Sequence, residues 1–555
     1  MSRKSYVRGS TEVALTNDTI GDYFDRVVKT HANHDALVSS AENIHWTWQE
    51  LHAQVQQTAA GLLAIGLKPK DRLAIWANNS STWLVTQLAC AKTGIILVNI
   101  NPSARPAELT AQLNAVQARA LLFQTQFKSS HYTAMLQALF PQLEQQNATE
   151  PLQSDIVPSL RYLLQIEDPA PKGMLSFSQL KAAGAQLDPQ HVTEAQQKVQ
   201  PHDPYNIQFS SALGTFAAPV TLSHFNLLNN GFFIGQQMQY TPNDRVCIPV
   251  PLFHCFGMVM GNMACIAHGA TMIYPDQSFD PSQVLHTIAT ERCTALYGVP
   301  AMFVSLLDHP QLEHTDVSSL RTGLMAGAPC PIDVMQRVTT ELHMPEVLIA
   351  YGMTESSPVS FMTALSDPLE LRVSTVGQVQ PHIDAQIVDE HNDVVPVGTV
   401  GQLCVRGYHV MQGYWQRDDL TQQVIKDQWL YTGDLARFDE KGYCQIVGNI
   451  KDMIIRGGEN IYLAEVHSFL RQHPAINELV LFGVPDARLG QELCAAVRLH
   501  PDQTLDADSL RQYCQGQIAH YKIPRYVLCY TDFPTAENQS TKDLLSADAI
   551  IKLGL

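Results

Sequence analysis

Two short apolar runs, Arg72-Leu-Ala-Ile-Trp76 and Gly94-Ile-Ile-Leu-Val-Asn99, lie on either side of a helix-like stretch from Ser81 to Lys92. Just before them, residues 48–67 carry apolar side chains at three- and four-residue spacing, which predicts an amphipathic helix. A strand, a helix and a second strand in this rhythm are typical of an α/β domain with a mostly parallel sheet. The rhythm returns in three later apolar runs, at residues 270–274, 295–297 and 347–350.

Two later regions differ from this pattern. Over residues 376–415, short strand-like runs alternate with Gly and Pro, which predicts a smaller β-rich subdomain. Beyond about Gly448, a unit of normal domain size carries two strand-like runs, 478–484 and 494–498, and a predicted helix over 508–519. The predicted fold class is therefore α/β, with a large N-terminal domain over residues 1–448, a β-rich subdomain within it at 376–448, and a small α+β C-terminal domain over 449–555.

The composition favours a multi-domain globular protein. Its 555 residues are 45% apolar, which is enough for two or more packed units. Charged residues make up only 16%, so long disordered tracts are not expected. The chain has 36 basic and 53 acidic residues, and its net charge of −17 argues against nucleic acid or an anionic membrane as a partner.

The cysteines and the apolar runs predict a soluble cytoplasmic protein. Eleven cysteines are scattered along the chain with no Cys-x-x-Cys pair, a usage typical of reduced, buried thiols. The opening residues do not have the pattern of a secretory leader. The most apolar long stretch, residues 255–274, contains Asn262 and His268, so no membrane span is predicted.

Five segments rich in Gly and Pro follow strand-like runs, and open α/β sheets collect their ligands at such positions. Taken singly, each segment is more often a turn than a site, but five in one chain indicate a ligand-binding edge. The segments are Pro251-Leu-Phe-His-Cys-Phe-Gly257, Gly298-Val-Pro300, Ala326-Gly-Ala-Pro329, Tyr351-Gly-Met-Thr-Glu355 and Tyr431-Thr-Gly-Asp434.

Further segments accompany these five: Val98-Asn-Ile-Asn-Pro102, Gly407-Tyr-His-Val-Met-Gln-Gly-Tyr-Trp415, Lys451-Asp-Met-Ile-Ile-Arg-Gly-Gly-Glu-Asn-Ile461 and Lys522-Ile-Pro-Arg525. In this order the set resembles the adenylate-forming superfamily, which comprises acyl-CoA synthetases, luciferases and peptide-synthetase adenylation domains. The resemblance covers nearly the whole chain, and the segment around His254 is most similar to medium-chain acyl-CoA synthetases. It implies an N-terminal domain that binds the acyl group and AMP, and a mobile C-terminal domain. It also implies two half-reactions, in which a carboxylic acid and ATP give an acyl-adenylate and pyrophosphate, and the acyl group then moves to coenzyme A.

The resemblance implies a site for ATP or AMP with Mg²⁺. Tyr351 would lie against the adenine, and Asp434 would accept hydrogen bonds from both ribose hydroxyls, as a carboxylate with two acceptor oxygens can. Thr354 would bond the α-phosphate, and Glu355 would hold Mg²⁺, a cation that prefers oxygen ligands. The implied nucleotide-binding residues are Ser210, Ser211, Gly327, Ala328, Tyr351, Gly352, Thr354, Asp434 and Asn449.

The resemblance also implies residues for the acyl group and for coenzyme A. His254 would lie where the acyl pocket meets the reacting carboxylate, although a histidine between apolar residues is equally well explained as a satisfied core group. Lys451 would be the hinge of the C-terminal domain. Gly457 and Gly458 would let pantetheine approach the backbone, with Glu459 beside them. The implied catalytic residues are His254, Thr354, Glu355 and Lys451, and the implied acyl pocket is Phe253, His254, Val299, Gly327 and Met353.

The phosphate-binding loop departs from the family's pattern. Between Ile207-Gln-Phe209 and Val220-Thr-Leu-Ser-His224, the family reads approximately T-S-G-T-T-G-x-P-K-G, whereas this chain reads Ser210-Ser-Ala-Leu-Gly-Thr-Phe-Ala-Ala-Pro219. The glycines of such a loop turn backbone N–H groups toward the phosphates, and an ammonium adds positive charge. Here Ala218 stands where the family has the lysine, and Pro219 removes a backbone donor.

Two more family cations are absent, both on the ATP side of the implied site. Asn449 stands where the family has an arginine that touches ribose and phosphate. Ser540 stands where the family has a lysine that bridges the substrate carboxylate and the α-phosphate, a role for a mobile cation that a hydroxyl cannot fill. The three losses predict that ATP-dependent adenylation is impaired or absent, while the groups for the acyl chain and AMP remain.

Three functions stay open from the sequence, each with a small-molecule acyl group as ligand. The first is a scaffold that binds an acyl-adenylate, acyl thioester or acid and is repurposed for acyl transfer or a related reaction, with His254 as the candidate base. The second is a functional ATP-dependent acid–CoA ligase that tolerates the changes. The third is a non-catalytic pseudoenzyme or scaffold. A homodimer or a pairing with another enzyme is compatible with all three.

Overall fold

The computed structural model describes residues 3–210, 217–328, 330–449, 453–534 and 541–555. Contacts within the chain divide it into two compact units. Each unit has a buried apolar core of its own. Unit 1 comprises Met1–Pro102, Thr110–Phe209 and Pro219–Gly448, and unit 2 comprises Ser103–Leu109, Ser210–Ala218 and Asn449–Leu555.

The helices begin and end at local sequence signals. Thr47 and Glu50 form a capping box, in which Thr47 Oγ1 accepts a hydrogen bond from Glu50 N at 3.2 Å and Glu50 Oε2 accepts one from Thr47 N at 2.8 Å. The next helix begins after the N-cap Ser80 and ends at Gly94, which takes a left-handed φ of 69°. In chain order the described α-helices are α1 Ile20–His31, α2 Trp48–Ala64, α3 Ser81–Thr93, α4 Pro106–Ala115, α5 Tyr132–Leu139, α6 Phe177–Gly184, α7 Gln190–Gln196, α8 His224–Gln237, α9 Ala264–His268, α10 Pro281–Glu291, α11 Pro300–Leu307, α12 Ile332–Glu341, α13 Leu369–Ser374, α14 Asp418–Val424, α15 Leu463–Leu470, α16 Ala507–Cys514 and α17 Thr541–Leu553.

The strands are mostly short and alternate with these helices in the first part of the chain. A π-helix, Phe256–Met263, precedes α9. The described strands are β1 Tyr6–Arg8, β2 Asp35–Ser39, β3 Ile44–Thr47, β4 Arg72–Trp76, β5 Ile96–Asn99, β6 Ala120–Phe123, β7 Gln126–Phe127, β8 Ser130–His131, β9 Tyr162–Gln165, β10 Leu175–Ser176, β11 Pro204–Ser210, β12 Ala218–Ser223, β13 Arg245–Cys247, β14 Thr271–Tyr274, β15 Ala295–Gly298, β16 Thr322–Ala326, β17 Glu346–Gly352, β18 Val359–Met362, β19 Gln378–Val379, β20 Ile383–Val388, β21 Gly401–Gly407, β22 Gly413–Tyr414, β23 Ile425–Lys426, β24 Trp429–Phe438, β25 Cys444–Asn449, β26 Met453–Arg456, β27 Glu459–Tyr462, β28 Ile476–Asp486, β29 Gly490–Leu499 and β30 Tyr526–Cys529.

Sheet A is a nine-stranded sheet of unit 1 with a parallel centre. Its order is β19-β18-β17-β16-β15-β13-β14-β2-β3. The strands from β17 to β2 run parallel to their neighbours, and antiparallel strands are added at both edges. Helices α10, α11 and α12 contribute Ile288, Phe303 and Val338 to the core beside this sheet. The three apolar runs predicted as strands at 270–274, 295–297 and 347–350 are β14, β15 and β17.

Sheet B is an eight-stranded sheet in the order β10-β9-β6-β4-β5-β11-β12-β22. The strands from β10 to β11 are parallel, and β22 is antiparallel to β12. The predicted strand, helix and strand of residues 72–99 are β4, α3 and β5, at the centre of this sheet. Two mostly parallel sheets in one unit confirm the predicted α/β class.

Sheet C corresponds to the predicted β-rich region. It is antiparallel, in the order β1-β20-β21-β24-β23, with β25 beside β24. Its first strand comes from the beginning of the chain, because Tyr6 pairs with Gln386 and Arg8 with Asp384. Arg8 Nε also donates to Asp384 Oδ1 at 2.7 Å. The contribution of β1 to this sheet was not predicted from the sequence.

Sheet D belongs to unit 2. Its order is β27-β26-β29-β28, with β30 parallel to β29 and the other pairs antiparallel. The predicted helix over 508–519 is shorter in the structure, since α16 ends at Cys514 and Gly516 takes a left-handed φ of 79° that favours glycine. Leu510, Cys514 and Ile518 nevertheless belong to one buried core, as their spacing predicts.

The cysteines of the chain are mostly buried. All eleven cysteines have free thiols; ten are buried and Cys529 is exposed. Within the described ranges, no helix combines the length and the apolar character that crossing a membrane requires.

Candidate active site

Four of the five predicted segments lie at the carboxyl ends of neighbouring strands in sheet A. β13 ends at Cys247, shortly before residues 251–257, and β15, β16 and β17 run directly into the segments that begin at Gly298, Ala326 and Tyr351. These four strands are consecutive and parallel in the sheet. Because adjacent strands lie about 4.8 Å apart, the segments meet at one edge. This is the edge at which open α/β sheets bind ligands.

The fifth segment reaches the same place from sheet C. Asp434 lies on β24, and the Tyr351 hydroxyl at the end of β17 donates a hydrogen bond to Asp434 Oδ2. Burial and the charge of Asp434 raise the pKa of Tyr351 well above its usual value, so the hydroxyl stays protonated and remains a donor. Asp434 N in turn donates to Thr432 Oγ1 at 3.1 Å. The carboxylate is thereby held in one orientation.

Two glycines let the backbone at this edge of the sheet lie close to neighbouring atoms. A Cβ on Gly352 would lie 1.7 Å from the Pro358 carbonyl oxygen, so no other residue fits between β17 and β18. Gly327 has a left-handed φ of 83°, and a Cβ there would lie 3.4 Å from Val299 Cγ1. The structure therefore brings Gly327 and Val299 together, while Ala328 is half-buried beside them.

Glu355 is a buried carboxylate at this edge, with only 1% of its surface exposed. The Tyr414 hydroxyl donates to Glu355 Oε1 at 3.0 Å, and Met411 N donates to the Glu355 carbonyl at 2.9 Å. Tyr414 belongs to β22, which pairs with the β12 strand after the phosphate loop.

The described residues contain no group of three or more His, Cys, Asp or Glu side chains that could hold a metal ion. A lone carboxylate is nevertheless compatible with Mg²⁺, which is commonly bound by one or two carboxylates together with substrate phosphates and water. Glu355 fits that role, since it offers hard oxygen ligands next to Thr354 in the same segment.

His254 is held as a neutral imidazole. Its Nδ1 accepts a hydrogen bond from Phe256 N at 3.1 Å, so the proton of the neutral ring is on Nε2. His254 is an exposed residue, but the packed atoms around the ring desolvate it and lower its pKa to about 4. At pH 7 the side chain is therefore uncharged and presents an Nε2–H donor.

A chain of buried amides beside this histidine was missed from the sequence. Cys255 Sγ donates to Gln208 Oε1 at 2.9 Å, and Gln208 Nε2 donates to Asn206 Oδ1 at 2.9 Å. Asn206 Nδ2 donates to Asn99 Oδ1 at 3.0 Å, and Asn99 Nδ2 donates to the Phe253 carbonyl at 2.9 Å. The chain ties sheet B to the histidine segment. The available signal was three amides inside apolar strands, where a buried polar group needs a partner.

The remaining acyl-pocket candidates are divided between two places. Val299 is buried immediately before α11 and contacts Gly327, as described above. Met353 is half-buried and packs with Tyr351 against the core of sheet C. Phe253 is half-buried next to His254.

Several predicted residues lie in or beside segments outside the described residues. Ser211, Lys451 and Ser540 are outside them, and so is the side chain of Asn449. At the flanks of the phosphate loop, Ser210 ends β11 and is buried. Ala218 begins β12 and is 3% exposed, so an apolar side chain occupies the position of the family's lysine.

The predicted pantetheine residues form a tight turn in unit 2. Gly457 and Gly458 connect β26 to β27 and have left-handed φ values of 58° and 87°, the signature of a two-residue hairpin turn. Burial raises the pKa of Glu459, the first residue of β27, to about 6. At the other end of the turn, Arg456 donates to both oxygens of Glu492 at 2.6 and 2.8 Å.

Comparison with known proteins agrees with this geometry. A model of the AMP-binding enzyme family matches residues 24–415, more than half of the chain. The chain belongs to this family. A model of the C-terminal domain of AMP-binding enzymes matches residues 465–540. The resemblance to adenylate-forming enzymes seen in the motifs is thereby confirmed.

The relatives of this AMP-binding enzyme include acyl-CoA synthetases that match almost its whole length. A mitochondrial medium-chain acyl-CoA ligase of Bos taurus is 42% identical over 541 residues, covering 96% of this chain and 87% of that protein. A putative acyl-CoA synthetase of Bacillus subtilis, YngI, is 41% identical over 522 residues, covering 94% of this chain and 95% of that protein. The protein is thus an acyl-CoA-synthetase-like member of the AMP-binding enzymes.

Solved structures support the same fold. The amide bond synthetase McbA from Marinactinospora thermotolerans has a TM-score of 0.79 and 25% identity, covering 95% of this AMP-binding enzyme and 99% of that chain. ATP-bound MatB from Rhodopseudomonas palustris has a TM-score of 0.66 and 25% identity, covering 96% of this chain and 99% of that chain.

Proposed function

We propose that this AMP-binding enzyme is an acid–thiol ligase that joins a fatty or aryl acid to coenzyme A through an acyl-adenylate. The hydrogen bond between Tyr351 and Asp434 carries the proposal, because it joins the carboxyl edge of sheet A to sheet C within a few residues of the buried Glu355. The relatives named as acyl-CoA ligase and acyl-CoA synthetase support the substrate class.

The residues at this edge have complementary roles in the proposal. Tyr351 covers one face of the adenine, and Asp434 accepts the ribose hydroxyls with a carboxylate already oriented by its neighbours. Thr354 donates to the α-phosphate, and Glu355 holds Mg²⁺ through oxygen. ATP with Mg²⁺ supplies the activating group when bound. Gly327 and Ala328 form the opposite wall.

His254 acts as a hydrogen-bond donor in this proposal and not as a base. A pKa of about 4 makes the imidazole a weak proton acceptor at pH 7, and its Nδ1 lone pair is engaged by Phe256 N. The Nε2–H group would orient an oxygen of the substrate carboxylate. We propose this positioning role for His254 in place of the role of candidate base inferred from the sequence.

For the second half-reaction, the turn at Gly457 and Gly458 would accept the pantetheine arm. Both glycines have a left-handed backbone and carry no Cβ, which permits an approach that a side chain would block. Lys451 remains the proposed hinge of the C-terminal domain. The assignment of residues 1–448 to acyl and AMP binding and of 449–555 to a mobile domain is part of the same proposal.

We also infer that the adenylation step is slower than in relatives that keep the three cations. Ala218 places a buried methyl group where a cation is needed. Each lost charge-assisted contact costs about 1.5–3 kcal/mol, which corresponds to about 10- to 150-fold in rate. The second candidate is an ordinary ligase that tolerates the changes, and the extended identity to named ligases favours it.

Pyrophosphate release distinguishes the two candidates. The assay uses ATP, Mg²⁺ and a panel of aryl acids and of fatty acids from four to sixteen carbons. The wild type is compared with the double variant Ala218→Lys, Ser540→Lys and with a matched uncharged control, Ala218→Gln, Ser540→Gln. Slow pyrophosphate release by the wild type, with faster release only in the lysine variant, supports the slowed adenylation step. Ligase-like turnover by the wild type establishes the ordinary ligase.

A second assay tests the ligase proposal without ATP. Synthetic acyl-AMP and coenzyme A are supplied together, and thioester formation is measured by mass spectrometry. We expect thioester formation even if adenylation is slow, because the acyl, AMP and pantetheine residues are retained. Absence of thioester with every acyl-AMP in the panel would contradict the ligase function itself. The cytoplasmic location and a homodimer stay predictions.

A further inference from the structure

A basic pocket lies at the amino edge of sheet B, away from the edge just described. It has a volume of about 540 Å³ and is open to solvent. Its lining includes Arg72 at the start of β4, Arg119 immediately before β6 and Arg161 immediately before β9. These three strands are neighbours and parallel. The arginines therefore belong to one row at one end of the sheet.

Backbone hydrogen bonds fix the register of this row. Arg119 N donates to the Arg72 carbonyl at 2.8 Å, and Arg161 N donates to the Arg119 carbonyl at 2.8 Å. Residues aligned across parallel strands point to the same face of a sheet, and neighbouring strands lie about 4.8 Å apart. The three side chains are thereby held next to one another. Burial lowers the pKa of Arg72; the charge of Asp71 opposes this shift, and the charge of Arg119 adds to it, as close like charges do.

Two of the three guanidinium groups are partly committed to backbone carbonyls. Arg72 donates to the carbonyls of Lys70, Val116 and Gln117 at 2.6 to 2.9 Å. Arg161 Nη1 likewise donates to the carbonyls of Pro158 and Leu160, at 2.7 and 2.9 Å. These bonds keep both groups rigid. Each nitrogen of the Arg72 guanidinium already donates to a carbonyl, whereas Arg161 donates through Nη1 alone, so its Nε and Nη2 remain as donors for a ligand.

Arg119 is the least committed of the three. Its Nη1 makes one long contact to the Ser159 carbonyl at 3.4 Å, and its Nε lies 3.8 Å from Asp71 Oδ1. Asp71 is the one carboxylate in the lining, and its other oxygen, Oδ2, already accepts a hydrogen bond from Lys68 N at 2.9 Å. Three cations thus face one partly engaged anion in a chain whose net charge is −17.

We propose that this pocket binds a small, multiply charged anion of the phosphate class. Guanidinium groups bind phosphate oxygens in a bidentate way, and a row of three can engage two adjacent phosphates. The backbone bonds pre-organise Arg72 and Arg161, and Arg161 and Arg119 supply the donors not used by the fold. The site does not depend on the proposed ligase function, because it lies at the opposite edge of sheet B from Asn99 and Gln208.

Inorganic pyrophosphate and inorganic phosphate are the probes, titrated calorimetrically into the full chain without nucleotide or Mg²⁺. We expect pyrophosphate to bind more tightly than phosphate, and binding to weaken as KCl is raised. Arg119→Gln should reduce pyrophosphate affinity at least tenfold. Arg292→Gln, which removes the same charge from an exposed position outside the pocket, should leave it unchanged.

Asp71→Asn tests for an increase in pyrophosphate affinity, whereas Arg119→Gln tests for a decrease. An amide oxygen can still accept from Lys68 N, while the negative charge beside Arg119 is removed, so affinity should rise severalfold. Pyrophosphate binding that is absent in the wild type overturns the proposal. So does binding that ignores Arg119→Gln and Asp71→Asn, which would place the anion elsewhere. Equal affinity for citrate and pyrophosphate overturns the assignment to the phosphate class.

Discussion

Among single residues, Asp434 is the one on which the proposed AMP binding would depend most directly. Its carboxylate is oriented by Tyr351 and has two acceptor oxygens, of which an amide would keep only one, uncharged. We expect Asp434→Asn to weaken AMP binding about 10- to 150-fold, since a hydrogen bond to a charged group contributes about 1.5–3 kcal/mol. Isothermal titration calorimetry with AMP measures the change.

The matched control for this prediction is Asp439→Asn. Asp439 lies on the exposed turn after β24, and its Oδ1 accepts from Lys441 N and Tyr443 N, which an amide oxygen can also do. Its substitution should leave AMP affinity unchanged. Wild-type affinity in Asp434→Asn would exclude this carboxylate from the ribose site.

Substitutions of His254 can test whether its side chain acts as a hydrogen-bond donor or as a general base. If the Nε2–H group positions the substrate carboxylate, His254→Gln should retain more of the rate of thioester formation than His254→Ala, because a glutamine amide can still donate. The pH profile of the wild type should show no ionisation from this residue between about pH 5.5 and 8, since its pKa is about 4. Equal loss in both variants, together with an ionisation near the ordinary histidine pKa of about 6.5, would restore the role of base.

Among the elements, the hairpin of β26 and β27 carries a prediction about unit 2. Gly458 has a φ of 87°, where an L-residue loses about 1–2 kcal/mol. We expect Gly458→Ala to lower the free energy of unfolding of unit 2 by about that amount, measured by urea denaturation. Gly458→Asn is the control and should lose less, because asparagine adopts the left-handed conformation more readily than alanine. Equal shifts in both variants would contradict the turn's conformational requirement.

The helices and strands also show which features local sequence patterns can predict. The strand, helix and strand of residues 72–99 appear as predicted, because the apolar period and the capping residues Ser80 and Gly94 are local signals. The end of α16 was misplaced, since the apolar period continues to Ile518 while Gly516 ends the helix. A spacing that fits a helix face is also satisfied by a turn that buries the same side chain.

Across the whole molecule, buried neutral histidines predict loss of stability in acid. Burial lowers the pKa of both His224 and His409 to about 3, against about 6.5 in the unfolded chain. The unfolded state therefore binds more protons between these values, so this stability is complete above about pH 6.5 and is lost as the pH falls toward 3. For each histidine, the free energy of unfolding changes by up to about 1.4 kcal/mol per pH unit in this range.

His409→Gln tests this slope. His409 Nε2 lies 3.0 Å from Ser360 Oγ, a hydrogen bond that an amide can replace without titrating. The urea midpoint of the variant should fall less steeply than that of the wild type between about pH 6 and 4.5. Substitution of the exposed His391 should leave the wild-type slope unchanged. An unchanged slope in His409→Gln would mean that this ring is not buried neutral.

Most residues of the candidate site could be predicted from the order of the sequence motifs. Tyr351, Thr354, Glu355 and Asp434 were chosen because their motifs resemble those of the adenylate-forming superfamily, and the structure brings their segments together. The segment of Asp434 lies within β24 and does not follow a strand, contrary to the prediction from the sequence. The amides Asn99, Asn206 and Gln208 were not chosen. Nothing in an apolar strand indicates which distant carbonyl a buried amide will bond, because the partner lies on a different part of the chain.

Local sequence was sufficient for the α/β class, the alternation of strands and helices in the first 100 residues, and membership of the AMP-binding enzymes. Hydrophobic period, capping residues and motif spacing act over a few residues, so they can be read without the fold. Only the tertiary structure decided that Tyr6–Arg8 joins sheet C, that Tyr351 bonds Asp434, and that three arginines form one row. Those contacts depend on strand order within each sheet, which is set by packing between segments far apart in the chain.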